Sequence, residues 1–83
     1  MDFFVYLLEC SDKSLYCGFA KNLEKRLGLH KNGTASKYTR ARLSVKLVYF
    51  ERTESLSSAM KREVEIKRLP RKKKLGLVAG RPK

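Results

Sequence analysis

Tryptophan is absent from this sequence, histidine occurs once, and proline and cysteine occur twice each. Cys10 and Cys17 fit neither a zinc-ligand spacing nor a disulfide framework. Reduced thiols and a cytoplasmic setting, with the nucleoid as one place within it, are therefore expected. No apolar run approaches the ~20 residues that cross a bilayer. The apolar stretch near the start follows an acid, Asp2, and has no small-residue cleavage pattern, so no secretory signal is expected. Acids are scarce too: 8 Asp and Glu stand against 20 Lys and Arg, a net charge of +12. Such a surface repels its own copies, so a monomer is expected, and it attracts polyanions. Nucleic acid is the leading partner class. A membrane surface is not, because the basic segments carry no large aromatic apolar face. Charge does not separate an enzyme from a passive binding protein.

What is present fills one small domain. At 83 residues with 42% hydrophobic, the chain suffices for one modest core over residues 1–79, followed by a basic tail at 80–83. Two apolar runs, Phe3 to Leu8 and Leu15 to Phe19, flank Ser11-Asp12-Lys13. Aromatic and β-branched residues around a turn cluster predict a β-hairpin. With a loop of residues 11–13, Cys10 pairs with Ser14, Leu8 with Tyr16 and Tyr6 with Gly18. Tyr6 and Tyr16 then share one face as diagonal neighbours. Gly18, lacking a side chain, leaves room for a close approach to its backbone. Two half-buried strand tyrosines would fit the same pattern.

Asn22 is placed to cap a helix that stops at Asn32-Gly33, with Leu23, Leu27 and His30 on one face and Arg26 beside it. Residues 34–44 read as a loop in which Lys37, Arg40 and Arg42 interleave with Tyr38. That mixture suits phosphate contact with a stacking option, or simply a solvated basic loop. Residues 45–51 form the third strand, with Val45, Leu47 and Tyr49 alternating against Lys46, Val48 and Phe50. The sheet is expected to pack helices on one side.

Ser55 or Ser57 caps the next helix, from Leu56 to about Leu69. Its buried stripe is expected to run through Leu56, Ala59, Met60, Glu63 and Ile66 or Lys67. A carboxylate in that stripe needs a partner, either a metal or a salt bridge to Arg26 or Lys67. Glu65 faces solvent. Leu69-Pro70 breaks the helix, and Pro70 can open a last one over 71–79, docked by Leu75, Val78 and Ala79. Its first turn carries Arg71, Lys72, Lys73 and Lys74, which is unfavourable at a positive helix end, so these cations point to an external anion. The expected fold is α+β: a small three-stranded antiparallel sheet in the order β-hairpin, helix, strand, helix, short C-terminal helix.

Taken together, these segments resemble the GIY-YIG nuclease family in its small, stand-alone form, over roughly residues 2–78. The two signature triplets stand as Val5-Tyr6-Leu7 and Tyr16-Cys17-Gly18. Asn22-Leu23-Glu24-Lys25-Arg26-Leu27 leading to His30 matches the segment that bears the family's arginine. Ala59 to Glu63 followed by Ile66-Lys67 matches the helix that bears its metal-binding glutamate. Lys37-Tyr38-Thr39-Arg40 is similar to a segment of the small members. The first triplet has lost its glycine, Phe19 stands where repair-type members carry lysine, and no asparagine follows Asn32.

The resemblance implies hydrolysis of DNA phosphodiesters, on duplex or branched DNA, in repair or recombination. It implies catalytic roles for Tyr6, Tyr16, Arg26 and His30, with Tyr6 as the base that activates water and Tyr16 positioning the nucleophile or phosphate. His30 shuttles a proton or contacts phosphate, or is a structural histidine. Glu63 is the expected ligand of one Mg²⁺ or Mn²⁺, a hard cation that keeps several waters. A phenol beside Arg26 and a cation is expected to lose its proton more readily. Lys21, Lys37, Tyr38, Arg40, Arg42, Arg71, Lys72 and Lys73 are the candidate DNA contacts. No separate specificity domain is evident, so a protein partner is the expected source of any sequence selectivity. A binding module of the same fold without turnover is the competing expectation.

Overall fold

Cys10, Lys13 and Ser14 close the hairpin on which the fold is built. The Cys10 amide donates to the Ser14 carbonyl at 2.9 Å, and the Lys13 amide to the Cys10 carbonyl at 2.9 Å. Lys13 takes a left-handed φ of 70°, the backbone a three-residue hairpin loop demands. The structure, a computed structural model, describes residues 2–80. Most of the expected basic tail, residues 81–83, lies outside the described residues.

Strands β1 (Phe3–Glu9) and β2 (Leu15–Ala20) pair antiparallel with the expected register, Tyr6 opposite Gly18 and Leu8 opposite Tyr16. Strand β3 (Lys46–Thr53) pairs antiparallel with the other side of β1, so the order is β2-β1-β3. A bulge changes which residues of β3 share a face. Leu7 opposes Tyr49, but Leu8 opposes Leu47, leaving Val48 as the extra residue. Leu47 therefore packs with Tyr6 and Leu8, whereas Val48 and Tyr49 pack with Val5 and Leu7. Strict alternation over residues 45–51 was the expectation; one inserted residue breaks it.

Helices cover both faces, not one. Helix α1 (Leu23–Lys31) is capped by Asn22, whose side chain accepts from the Lys25 amide at 3.0 Å, and packs Leu23 and Leu27 on the Tyr6 face. The segment expected to be all loop contains a short helix, α2 (Lys37–Arg40), capped by the Ser36 hydroxyl. Four residues are too few to show a helical period, so only the cap could have announced it.

Helix α3 (Leu56–Arg68), capped by Ser55, lies on the opposite face with α4 (Arg71–Ala79). The contacts of α3 with the sheet run through Ala59 and Ile66, both fully buried. Leu56 and Met60, expected in the buried stripe, are 47% and 50% exposed. The helix is turned by a fork: Arg62 Nε and Nη2 donate to the two carboxylate oxygens of Glu51 on β3, at 2.7 and 3.1 Å. Tyr49 donates its hydroxyl to the same carboxylate. Helix α4 docks by Leu77 and Val78, while Leu75 and Ala79 stay exposed. Pro70 sits at its N-cap rather than inside its first turn. Among the described residues no helix is long and apolar enough to cross a membrane.

Candidate active site

Tyr6 is central to β1, the middle strand, and its side chain folds across Gly18 on β2. A Cβ at position 18 would lie 2.6 Å from the Tyr6 hydroxyl and 3.2 Å from the Tyr16 ring. Only glycine fits there. The phenol continues to α1, where its oxygen lies 2.8 Å from His30 Nε2. Tyr6 and His30 are 2% and 1% exposed, so this contact is largely shielded from solvent.

The other side of His30 fixes its tautomer. Nδ1 lies 2.9 Å from the Thr39 hydroxyl on α2, and that hydroxyl donates to the Ser36 carbonyl at 3.3 Å. With its one proton so engaged, the Thr39 oxygen accepts from Nδ1–H. Nε2 is left with its lone pair facing Tyr6, which donates to it. Burial, and then the charge of Arg26, hold the imidazole below its ordinary value of 6.5, so it is neutral at neutral pH. For Tyr6, burial and then Tyr16 push the phenol well above 10, and Arg26 opposes them only in part. Arg26 eases its deprotonation as expected, but desolvation outweighs Arg26 alone.

Tyr16 stands over the pair. Its ring centroid is 5.1 Å from that of His30, edge to face, and 5.7 Å from that of Tyr38. Arg26 is exposed on α1, and its side chain makes no hydrogen bond or ion pair among the described residues. Beside it runs a groove of about 880 Å³, floored by Phe4, Ala20, Leu23 and Leu29 and flanked by Lys21 and Lys25.

Glu63 stands on α3, on the other face of the sheet from Tyr6, near the edge strand β2. Its carbonyl accepts from the Cys17 thiol at 4.0 Å. Its carboxylate, 17% exposed, pairs with Lys67 at 3.6 Å, the salt-bridge alternative of the spacing. Its charge also contributes to raising Tyr6. Described contacts thus join Tyr6, Tyr16 and His30, while Arg26 and Glu63 are coupled to them by charge. Among the described residues no three His, Cys, Asp or Glu side chains converge as a metal cage. A single hard carboxylate held by one long, open ion pair suits a divalent ion that takes its other oxygens from water and phosphate.

The candidate DNA contacts divide. Lys37 and Arg40 are exposed on α2, on the tyrosine side of the sheet. Arg71, Lys72 and Lys73 are exposed on α4, on the α3 side. Arg42 is already engaged, by Asp12 at 3.0 Å and by the Tyr38 carbonyl at 3.1 Å. Thr39, Glu51 and Arg62 were not singled out from the sequence. A hydroxyl nine residues beyond His30, across the Asn32-Gly33 stop, was the one available signal for Thr39. Cys10 and Cys17 are free and buried, and burial pushes the Cys17 thiol up to about 11, so neither is primed as a nucleophile.

The model of the GIY-YIG catalytic domain matches residues 2–75. A UPF0213 protein of Clostridium perfringens is 51% identical over 78 residues, covering 94% of this chain and 84% of its own length. Another, of Syntrophus aciditrophicus, is 50% identical over 80 residues, covering 95% and 92%. The solution NMR structure of a UPF0213 protein from Bacillus halodurans superposes with a TM-score of 0.61 at 40% identity, covering 95% of this chain and 84% of that one.

Proposed function

The chain belongs to the GIY-YIG family of nuclease domains, and from that membership we propose that it is a divalent-metal-dependent endonuclease that hydrolyses DNA phosphodiester bonds. The observation that carries this reading is the buried chain from Tyr6 through His30 to Thr39, whose phenol and imidazole both feel the charge of Arg26.

The chain's own residues divide the work. An attacking water gives its proton to the Tyr6 oxygen as Tyr6 gives its own to His30 Nε2. The water oxygen bonds to phosphorus, the bond to the leaving oxygen breaks, and the leaving alkoxide takes a proton from solvent. His30 ends as imidazolium, held by Thr39 through Nδ1–H, and returns its proton on turnover. Tyr6 is thus a relay and His30 the base. A phenol kept protonated beside a neutral imidazole supports this assignment better than a free phenolate. Arg26 meets the negative charge that grows on the phosphate. Tyr16 orients the phosphate or the water. Glu63 would hold the Mg²⁺ or Mn²⁺, exchanging Lys67 for it, and the ion supplies charge neutralisation at the reacting phosphate. Lys21, Lys25, Lys37 and Arg40 carry the flanking DNA. Structure-directed cutting in repair or recombination is the role this suits.

The test is nicking of plain, flapped and branched duplexes with Mg²⁺ or Mn²⁺. Glu63→Ala and Arg26→Ala should each lower the rate by about 10²–10³-fold. DNA binding that survives both changes, with no cleavage of any substrate by the unaltered protein, would leave only the binding module.

A further inference from the structure

We propose that Asp12, Arg42 and Tyr38 form a strut that positions Tyr16, and that Arg42 and Tyr38 serve this role rather than DNA contact. The proposal rests on the reading of Tyr16 as a substrate-orienting group.

The strut can be followed atom by atom. Asp12, in the hairpin turn, accepts from the Ser14 amide at 3.0 Å with Oδ1 and from Arg42 Nε at 3.0 Å with Oδ2. Arg42 Nη1 donates to the Tyr38 carbonyl at 3.1 Å, and its guanidinium lies 3.9 Å from the centroid of the Tyr38 ring. The Arg42 carbonyl accepts from the Ser11 amide at 3.0 Å, tying the same residue to the turn a second time. The Tyr38 ring also meets Tyr16, with 5.7 Å between ring centroids and 33° between ring planes. Tyr38 thus touches both the Arg42 cation and the ring of Tyr16. Both ends of the strut are anchored to the hairpin that bears Tyr16.

The charge arithmetic separates positioning from DNA contact. An arginine meant for phosphate gains from being unpaired, as Arg26 is. Arg42 instead faces an acid, which cancels its charge and repels a polyanion. The ion pair is exposed, so it adds little to stability. Its remaining effect is geometric, on the ring that packs against Tyr16. Displacing a group that holds substrate by a fraction of an ångström is costly in rate.

Asp12→Asn is the decisive variant. It keeps the Oδ1 acceptor of the turn and removes the charge that fixes Arg42. A DNA-contact role for Arg42 predicts tighter binding and cleavage at least as fast. The strut predicts binding as tight or tighter and a rate at saturating DNA about tenfold lower. Tyr38→Leu should lower that rate similarly, and Tyr38→Phe, which keeps the ring, should restore it to within about twofold. The second readout is the Tyr16 ring resonances and the Tyr16–His30 ring Overhauser contacts in solution. Both should change in Asp12→Asn and Tyr38→Leu and be retained in Tyr38→Phe. Unchanged Tyr16 resonances in Asp12→Asn and Tyr38→Leu would overturn the strut, whatever the rates do. If the unaltered protein cuts no DNA, the nuclease reading fails by itself, and the resonance measurement still decides whether the strut sets Tyr16.

Discussion

The hydroxyl of Tyr6 and Nε2 of His30 lie 2.8 Å apart, both side chains buried, one from the central strand and one from helix α1. His30 is the only histidine in the chain, so its titration can be followed without overlap. Its folded value lies below the ordinary 6.5, burial being the larger cause. The sign is then fixed: the unfolded chain takes up a proton that the folded one refuses. Stability is complete above 6.5 and falls as pH drops from there towards the folded value. The urea midpoint should decline between about pH 7.5 and pH 5.5, and His30→Gln should flatten that decline. An imidazole resonance that titrates above 6.5 would contradict the buried, neutral assignment.

Arg26 is the second cause of that depression. Arg26→Ala should therefore move the His30 titration upward while the melting temperature hardly changes, since the side chain is exposed and unpartnered among the described residues. Cleavage should fall with it. A titration that stays in place would mean the arginine points away from the imidazole.

Gly18→Ala tests the contact between the strands. The new methyl would meet the Tyr6 hydroxyl at 2.6 Å and its ring at 2.8 Å. Overpacking of this kind costs about 1–3 kcal/mol. The expected signature is a loss of the Tyr6–His30 hydrogen bond, seen as a changed His30 titration, together with that loss of stability. A fully stable variant with an unaltered His30 would show that Tyr6 does not lie across this glycine.

The fork from Arg62 to Glu51 sets the rotation of α3, and with it the side to which Glu63 is presented. Glu51→Gln leaves the guanidinium without its charged partner. The cost should be about 1–2 kcal/mol, a hydrogen bond to a charged group discounted for partial exposure. Metal-dependent activity should weaken more than DNA binding does. Equal losses in both would assign the fork a purely structural part.

Binding itself should be salt-dependent. With Arg26, Lys21, Lys25, Lys37 and Arg40 on phosphates, affinity for duplex DNA should fall by about 500-fold between 50 and 200 mM salt. Lys21→Ala and Lys25→Ala, beside the groove at Arg26, should each reduce the slope of log affinity against log salt by about 0.9. A slope insensitive to both would move the DNA path elsewhere on the surface.

The local instructions were written in order along the chain. Turn residues at 11–13 and the two apolar runs determined the hairpin and its register, because pairing follows from loop length and a period of two. Asn22 marked where α1 begins and Ser55 or Ser57 where α3 begins, since a side-chain oxygen can satisfy the first free amides; the fold uses Ser55. Leu23, Leu27 and His30 determined the inward face of α1. Only the tertiary structure decided what depends on groups distant in sequence. The bulge at Val48 is decided by the meeting of β3 with β1. The exposure of Leu56 and Met60 is decided by Arg62 reaching a carboxylate eleven residues back on another element. The resting protonation of Tyr6 and His30 is decided by burial, which no spacing reveals. Arg42 had a type and a position that suited phosphate, but the fold brought Asp12 to it across a separation of 30 residues. A side chain's intrinsic chemistry can be read from a string of letters; whether its hydrogen-bonding and charge are already spent depends on which neighbours folding delivers.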